Sequence, residues 1–255
     1  MGIDAGAHAY ESVASTYQAA RPSYPPPAIT RLALELAIRP GSVVLDLGAG
    51  TGKLTGGLVS TRASLIALEP LRAMRGELVR ALGDINVVGG TAEHLPFCDH
   101  TVDVVLCAQA WHWFDGKRAL RECTRVLRNR GGLGLVWNEY DLTVPWVARF
   151  ADVYRRRIPK DRPSLGEKAW RTAFTGDPNW SPLQEATFPN PCQTTRAGLI
   201  ARALSSSWIA ALSSEGRTQV VREVEEVLDS DPETLGRDEI TLPYITELFW
   251  CRRRS

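Results

Sequence analysis

The chain has 255 residues, 44% of them hydrophobic and 23% charged, with 30 Lys and Arg against 29 Asp and Glu. That much apolar side chain can build a core without disulfide or metal staples. The balanced charge disfavours a strongly basic nucleic-acid binder and an acidic tail protein. The local basic runs at 155–157 and 252–254 read as a solvated face and a tail. Five scattered cysteines (Cys98, Cys107, Cys123, Cys192 and Cys251) contain no CxxC pair, and no His pair stands at zinc spacing. That usage fits a reduced compartment and argues against a disulfide framework or a structural zinc. Residues 1–20 hold no apolar run flanked by basic residues. Gly6 stands where a myristoylation signal needs Ser or Thr. No stretch of about 18 apolar residues occurs. The expectation is a soluble, cytoplasmic protein.

In chain order, Ser42-Val43-Val44-Leu45-Asp46-Leu47 reads as a buried strand, followed by a helix over 51–60. Residues 64–69 predict a second strand and 71–82 a helix. Residues 86–88 predict a third strand and 102–107 a fourth. Asp115 can cap a helix whose apolar residues Leu120, Cys123, Val126 and Leu127 recur every three or four positions. Gly131-Gly132 is expected to end that helix, with a fifth strand over 133–137. Continuous apolar strands alternating with helices imply a parallel sheet covered on both faces. After Asn138 the chain becomes rich in Trp, Arg and Pro, and 139–182 reads as an inserted helical cap. Residues 183–188 suggest a strand, 196–212 and 215–228 amphipathic helices, and 240–250 a closing strand that Pro243 would place at an edge or a bulge. No linker is evident, so the whole chain reads as a single domain.

The most informative segment is Asp46-Leu47-Gly48-Ala49-Gly50-Thr51-Gly52, which directly follows a strand and opens a helix. Glycines let the backbone turn sharply and let a ligand approach without meeting a Cβ. Leu47 and Leu54 stand where a phosphate-binding P-loop needs Gly and Ser or Thr, and Lys53 stands where the dinucleotide fingerprint needs its third Gly. What remains is an acid followed by G-x-G-x-G. Glu69 lies 23 positions after Asp46, at the end of the second strand. A carboxylate there can accept both ribose hydroxyls of a nucleoside.

The sequence resembles the class I S-adenosylmethionine-dependent methyltransferases, specifically the type 11 methyltransferase domain family. The matching residues are Val44 to Gly52, then Leu68-Glu69-Pro70, Gly90-Thr91-Ala92-Glu93-His94-Leu95-Pro96-Phe97, Ala108-Gln109-Ala110-Trp111-His112-Trp113-Phe114, and Arg125-Val126-Leu127 with Gly131-Gly132. They fall in family order over about half the chain. The "AQAWHWF" and "LVWN" segments are most similar to a small-molecule branch that includes trans-aconitate methyltransferase-like proteins. The resemblance implies an α/β Rossmann-like fold with seven strands in the order 3-2-1-4-5-7-6, strand 7 antiparallel, and a helical cap after strand 5. It implies S-adenosyl-L-methionine as cofactor, with S-adenosyl-L-homocysteine as product. Asp46, Gly48, Ala49, Gly50, Thr51 and Gly52 would meet the methionine part, and Glu69 with Pro70 the ribose. Thr91, Ala92 and Glu93 would line the adenine, although many relatives carry Asp at the Thr91 position. Ala108 or Gln109 would offer a carbonyl to the ammonium. Residues 10–24 resemble the family's cofactor-covering lid, with Tyr17 and Arg21 in Y-x-x-x-R-P; an Arg can form a two-pronged bond with the methionine carboxylate.

Methyl transfer from a sulfonium is an in-line displacement, so alignment and water exclusion can supply much of the rate. Trp111, Trp113, Trp137 and Asn138 fall where the substrate mouth is expected, and aromatic walls suit a cation and an apolar acceptor. The tryptophans equally suit core packing. His112 is the candidate catalytic residue, as a base, a hydrogen-bond donor or a group that orients a neighbour. Glu139, Tyr140 and Asp141 are weaker candidates. No Asn-Pro-Pro-Tyr-type tetrad follows the fourth strand, which lowers nucleic acid as substrate. The expectation is a small metabolite methylated on oxygen or carbon, by a monomer or homodimer that binds neither nucleic acid nor membrane. A carboxylate acceptor is suggested only by the trans-aconitate likeness. The alternatives are a relative that keeps the cofactor but catalyses another step, a nicotinamide-dependent oxidoreductase, and a non-catalytic binding module or regulator.

Overall fold

The apolar runs of the sequence become one seven-stranded sheet in the computed structural model, which describes residues 21–158 and 169–254. Helix α1 (Pro26–Glu35) precedes β1 (Val43–Leu47), α2 (Lys53–Leu58), β2 (Ser64–Leu68), α3 (Arg72–Leu82), β3 (Asn86–Val88) and β4 (Val102–Ala108). A 3₁₀ turn at Trp111–Trp113 leads to α4 (Gly116–Val126), β5 (Leu127–Tyr140) and α5 (Pro145–Arg155). Then come a 3₁₀ turn at Ala169–Ala173, β6 (Gln184–Pro189), β7 (Cys192–Thr195), α6 (Arg196–Leu204), the four-residue α7 (Ser207–Ala210), α8 (Ser214–Asp229), β8 (Glu239–Leu242) and β9 (Tyr244–Arg252).

The strand order is β3-β2-β1-β4-β5-β9-β6. Strands β1 to β5 run parallel, and β9 lies antiparallel between β5 and β6. Counting only strands of this sheet gives the expected order, with the last strand antiparallel. Alternate residues serve the two faces. Leu45, Val105, Leu133 and Phe249 pack toward α4, while Val44, Val104, Val136 and Leu248 pack toward α1 and α2.

Three expectations are corrected. First, Gly131-Gly132 does not end α4. That helix stops at Val126, and Leu127 is already extended and paired with Val102, with a register shift before Gly132 meets Val104. The glycines act inside the sheet instead, because α1 lies directly on them. A Cβ on Gly132 would sit 2.6 Å from Leu36 Cδ2, and one on Gly134 would sit 2.8–2.9 Å from Leu106, Leu32 and Leu36. Second, Pro243 does not mark an edge. It separates β8 from β9, so β9 remains an interior strand and no ladder N–H is lost; its carbonyl accepts from Asp141 N at 3.1 Å. Strand β8 pairs with β7 as a separate two-stranded ribbon.

Third, the helix expected over 196–212 breaks after Leu204. Helix α5 comes from the segment after β5 that reads as a cap, and α6, α7 and α8, from the chain between β6 and β9, pack with it. They share one apolar cluster: Trp146, Phe150 and Val153 meet Leu199, Ala203, Val220, Val224 and Leu228. Each stripe is short, and burying it requires the other. No described helix is long and apolar enough to cross a membrane.

The close seat of α1 can be tested with Gly134→Val. Three buried leucines would have to yield at once, so the urea midpoint should fall by the equivalent of ~1–3 kcal/mol with an unchanged m-value. An unchanged midpoint would show that the helix does not rest on the glycines.

Candidate active site

The glycine loop owes its shape to three left-handed residues. Gly48, Gly50 and Gly52 have φ of +70°, +57° and +85°, a region costly for residues with a Cβ. The N–H groups of Gly48 and Ala49 donate to the carbonyl of Leu68 at 2.8 and 3.1 Å, so the loop is tied to the end of β2. The three glycines face different surroundings. A Cβ on Gly48 would press on Ala110 Cβ at 2.8 Å, and one on Gly52 on Leu78 and Leu82 at 2.9 Å. At Gly50 it would meet nothing within 4 Å, so this is the open side of the loop. Thr51 is buried at the same bend.

Two carboxylates stand behind the loop. Glu69 accepts from Gly50 N through Oε2 and from Leu71 N through Oε1, both at 2.9 Å. Burial pushes its carboxyl up, opposed by those two N–H groups and by Arg75. Arg75 also donates to the carbonyls of Glu69 and Pro70 at 2.8 and 2.7 Å, which fixes the turn. Asp46 is buried at the end of β1. Its Oδ2 accepts from Thr55 Oγ1 at 2.5 Å, while its Oδ1 is buried without a partner. Burial pushes this carboxyl up to about 6; Thr55 opposes the shift and the nearby Glu69 charge adds to it.

The other walls come from β3, β4 and β5. Thr91 bridges to His94, Ala92 is buried in the main core, and Glu93 Oε1 accepts from Asp115 N at 2.9 Å. Ala108 ends β4, and Gln109 follows at φ +56°, a strained turn of the kind that clusters at functional sites. Gln109 is held from both ends: its N donates to Val136 O at 2.9 Å and its Nε2 to Asn138 O at 3.0 Å.

The residues expected at the mouth separate into buried core positions and half-buried ones. Trp111 is buried against Phe114 and Phe174, and Trp137 is buried, stacked 4.7 Å from Trp170. Both belong to the main core. Trp113 is half-buried beside His112, ring centroids 4.9 Å apart. His112 Nδ1 is buried without a partner, and desolvation lowers the imidazole to about 4. Asn138 is a tie: its Oδ1 accepts from Thr246 and Asn190, and its Nδ2 donates to the carbonyls of Pro22 and Ser23. Arg21 lies near the far end of β5, where its charge acts on Tyr140 and Tyr244. Tyr17 lies outside the described residues. Sequence reasoning missed Thr55, Arg75, Glu122 and Asn190, because nothing in their spacing announces a partner distant in the chain. Among the described residues no cluster of His, Cys, Asp and Glu could hold a metal ion.

A family model described as a methyltransferase domain matches residues 45–135, from β1 through β5. An uncharacterized methyltransferase-like protein of Schizosaccharomyces pombe is 34% identical over 94% of this chain and 93% of its own length. The chain belongs to the class I S-adenosylmethionine-dependent methyltransferases. An uncharacterized methyltransferase of Mycobacterium tuberculosis is 37% identical over 93% of this methyltransferase and 92% of its own length. The solved structure of a proposed type II methyltransferase from Anaeromyxobacter dehalogenans shares the fold, with a TM-score of 0.68 at 23% identity over 92% of this chain and 97% of that one.

The buried acid gives the methyltransferase a pH signature. Asp46 is raised from 3.8 to about 6, so its contribution to stability is full below pH 3.8 and is lost as the pH rises through about 6. His112 acts oppositely, its contribution being lost as the pH falls from 6.5 toward about 4. Asp46→Asn removes only the first effect. Its stability relative to wild type should therefore improve between pH 4 and 7.5, by an amount approaching ~3 kcal/mol. A difference between the two melting curves that stays constant over that range would contradict the burial argument.

Proposed function

We propose that the protein transfers the methyl group of S-adenosyl-L-methionine to an oxygen or carbon atom of a small metabolite. The observation that carries this reading is the junction of Gly50 and Glu69. An open, side-chain-free backbone meets a buried carboxylate whose oxygens already take two N–H bonds and keep lone pairs for hydroxyl donors. Those features suit a ribose, and the unpartnered Asp46 Oδ1 at the base of the loop leaves an acceptor for a further donor. The residues present thus fit the cofactor that the family uses.

When bound, the cofactor supplies an electrophilic methyl on a sulfonium. Everything else falls to the chain. Glu69 would hold the ribose, Gly48 to Gly52 admit the backbone contact, and the Gln109 turn would present main-chain carbonyls to the ammonium. Holding two reactants in line can contribute roughly 7–11 kcal/mol of the barrier. His112 is neutral above about pH 4, so it would act on an acceptor hydroxyl as a hydrogen-bonding group and as a proton acceptor of low basicity. The near-neutral net charge supports a small molecule over nucleic acid.

Two measurements test this. Glu69→Gln keeps the shape of the side chain but removes its charge, so calorimetric affinity for S-adenosyl-L-homocysteine should fall roughly 10- to 100-fold. Unchanged affinity would remove Glu69 from the site. Incubation with methyl-labelled S-adenosyl-L-methionine and a deproteinised cell extract should place label in low-mass products. Label confined to macromolecules, or unchanged substrate masses beside a converted acceptor, would overturn the reading.

A further inference from the structure

The segment that joins β3 to β4 owes its path to a helix rather than to a strand. Strand β3 is only three residues long. Among the described residues, the backbone of 89–99 bonds to itself only where His94 N donates to the Thr91 carbonyl at 3.3 Å. Pro96 has no N–H to offer. The rest is held by α4, in step along its length. At the N-cap, Glu93 Oε1 accepts from Asp115 N at 2.9 Å. At the last turn, the N–H groups of His100 and Thr101 donate to the carbonyls of Arg125 and Val126 at 3.0 and 2.8 Å.

Between those ends, two side chains of α4 grip the segment. Glu122 Oε2 accepts from Leu95 N at 2.7 Å, and Arg125 Nη2 donates to the Leu95 carbonyl at 3.0 Å, so Leu95 is held on both sides. Arg125 Nη1 donates to the Phe97 carbonyl at 2.7 Å and to Asp99 Oδ1 at 2.9 Å. The two side chains also pair in a two-pronged way, Nε to Oε1 at 2.8 Å and Nη2 to Oε2 at 2.7 Å. A guanidinium has five N–H groups, and these bonds engage all of them. Arg125 holds the Glu122 carboxyl below its usual range against the opposing effect of burial, so the acid stays ionised at neutral pH. An ammonium at this position has three donors and no planar fork, so it cannot replace the set.

The gripped residues continue directly from Thr91, Ala92 and Glu93. Ala92 and Leu95 are buried in the same core cluster, so the position of one constrains the other. Arg125 itself lies at the residues that enter β4, the opposite end of that strand from Gln109. Seven residues at ~3.3 Å each put the guanidinium on the order of 20 Å from the Gln109 turn. It therefore reaches the ligand site only through the segment it holds. A wall that is ordered beforehand spares a ligand the entropy of ordering it.

We propose that Glu122 and Arg125 are positioning residues for the cofactor. They fix the segment whose first part, Thr91 to Glu93, forms the adenine wall, and they touch no ligand themselves. This rests on the cofactor reading above and adds two residues to that site. Glu93 belongs to the same clamp, because its carboxylate is engaged at the start of α4.

The test pairs calorimetry with amide hydrogen exchange on the full chain, using S-adenosyl-L-homocysteine as the ligand. In the wild type, saturating ligand should slow exchange over both 47–54 and 89–97. Arg125→Gln should bind at least fivefold more weakly. At saturation it should keep wild-type protection over 47–54 and exchange at least tenfold faster over 89–97. Glu122→Gln should move both quantities the same way and serves if Arg125→Gln does not fold. Arg128→Gln breaks the ion pair to Asp103 instead and should leave both quantities unchanged. Affinity unchanged in Arg125→Gln and Glu122→Gln, protection lost equally over both segments, or the same loss in Arg128→Gln would each overturn the proposal. A wild type that does not bind the ligand would sink the cofactor reading and the adenine role together, whatever the exchange pattern.

Discussion

The structure depends on placing two carboxylates out of water behind a bend of left-handed glycines. Burying an acid is unfavourable unless hydrogen bonds replace its hydration. Glu69 meets that demand with the N–H groups of Gly50 and Leu71, so the same bonds that make the acid tolerable also set the loop. Asp46 meets it only halfway, through Thr55. The loop is thus shaped by the acids it shields, and its one unobstructed glycine faces outward.

Around that point the sheet is arranged to present its carboxyl ends. Helix α1 can cover β4 and β5 only because Gly132 and Gly134 offer no side chain. The opposite face is filled by α4 and by large aromatics, so Trp111 and Trp137 spend their area on packing. That rigidity lets the exposed ends of the strands hold groups in strained or desolvated states, such as the left-handed Gln109 and the neutral His112.

Much of this was legible in the sequence where the signal is local. The strand–loop–helix at Asp46 to Gly52, the acid at Glu69 and the Asp115 cap each depend on neighbours within a few positions, and the structure places them as expected. What escaped depends on distant partners. Gly131-Gly132 reads as a stop because a glycine pair looks the same whether it ends a helix or admits one from elsewhere in the chain. Pro243 reads as an edge because the separation of β8 from β9 is set by pairing, not by composition. The helices α5 and α8 each show a stripe, yet nothing local says that the stripes face one another. Glu122 is the extreme case: a single acid on a helix carries no mark of the distant N–H group it receives.

The amide of Asn138 joins residues 22 and 23, 190 and 246 at one point on the rim. The chain must therefore bring together segments far apart in the sequence before that rim exists. Those segments consequently cannot shift independently of one another at that point, although nothing in the covalent chain links them.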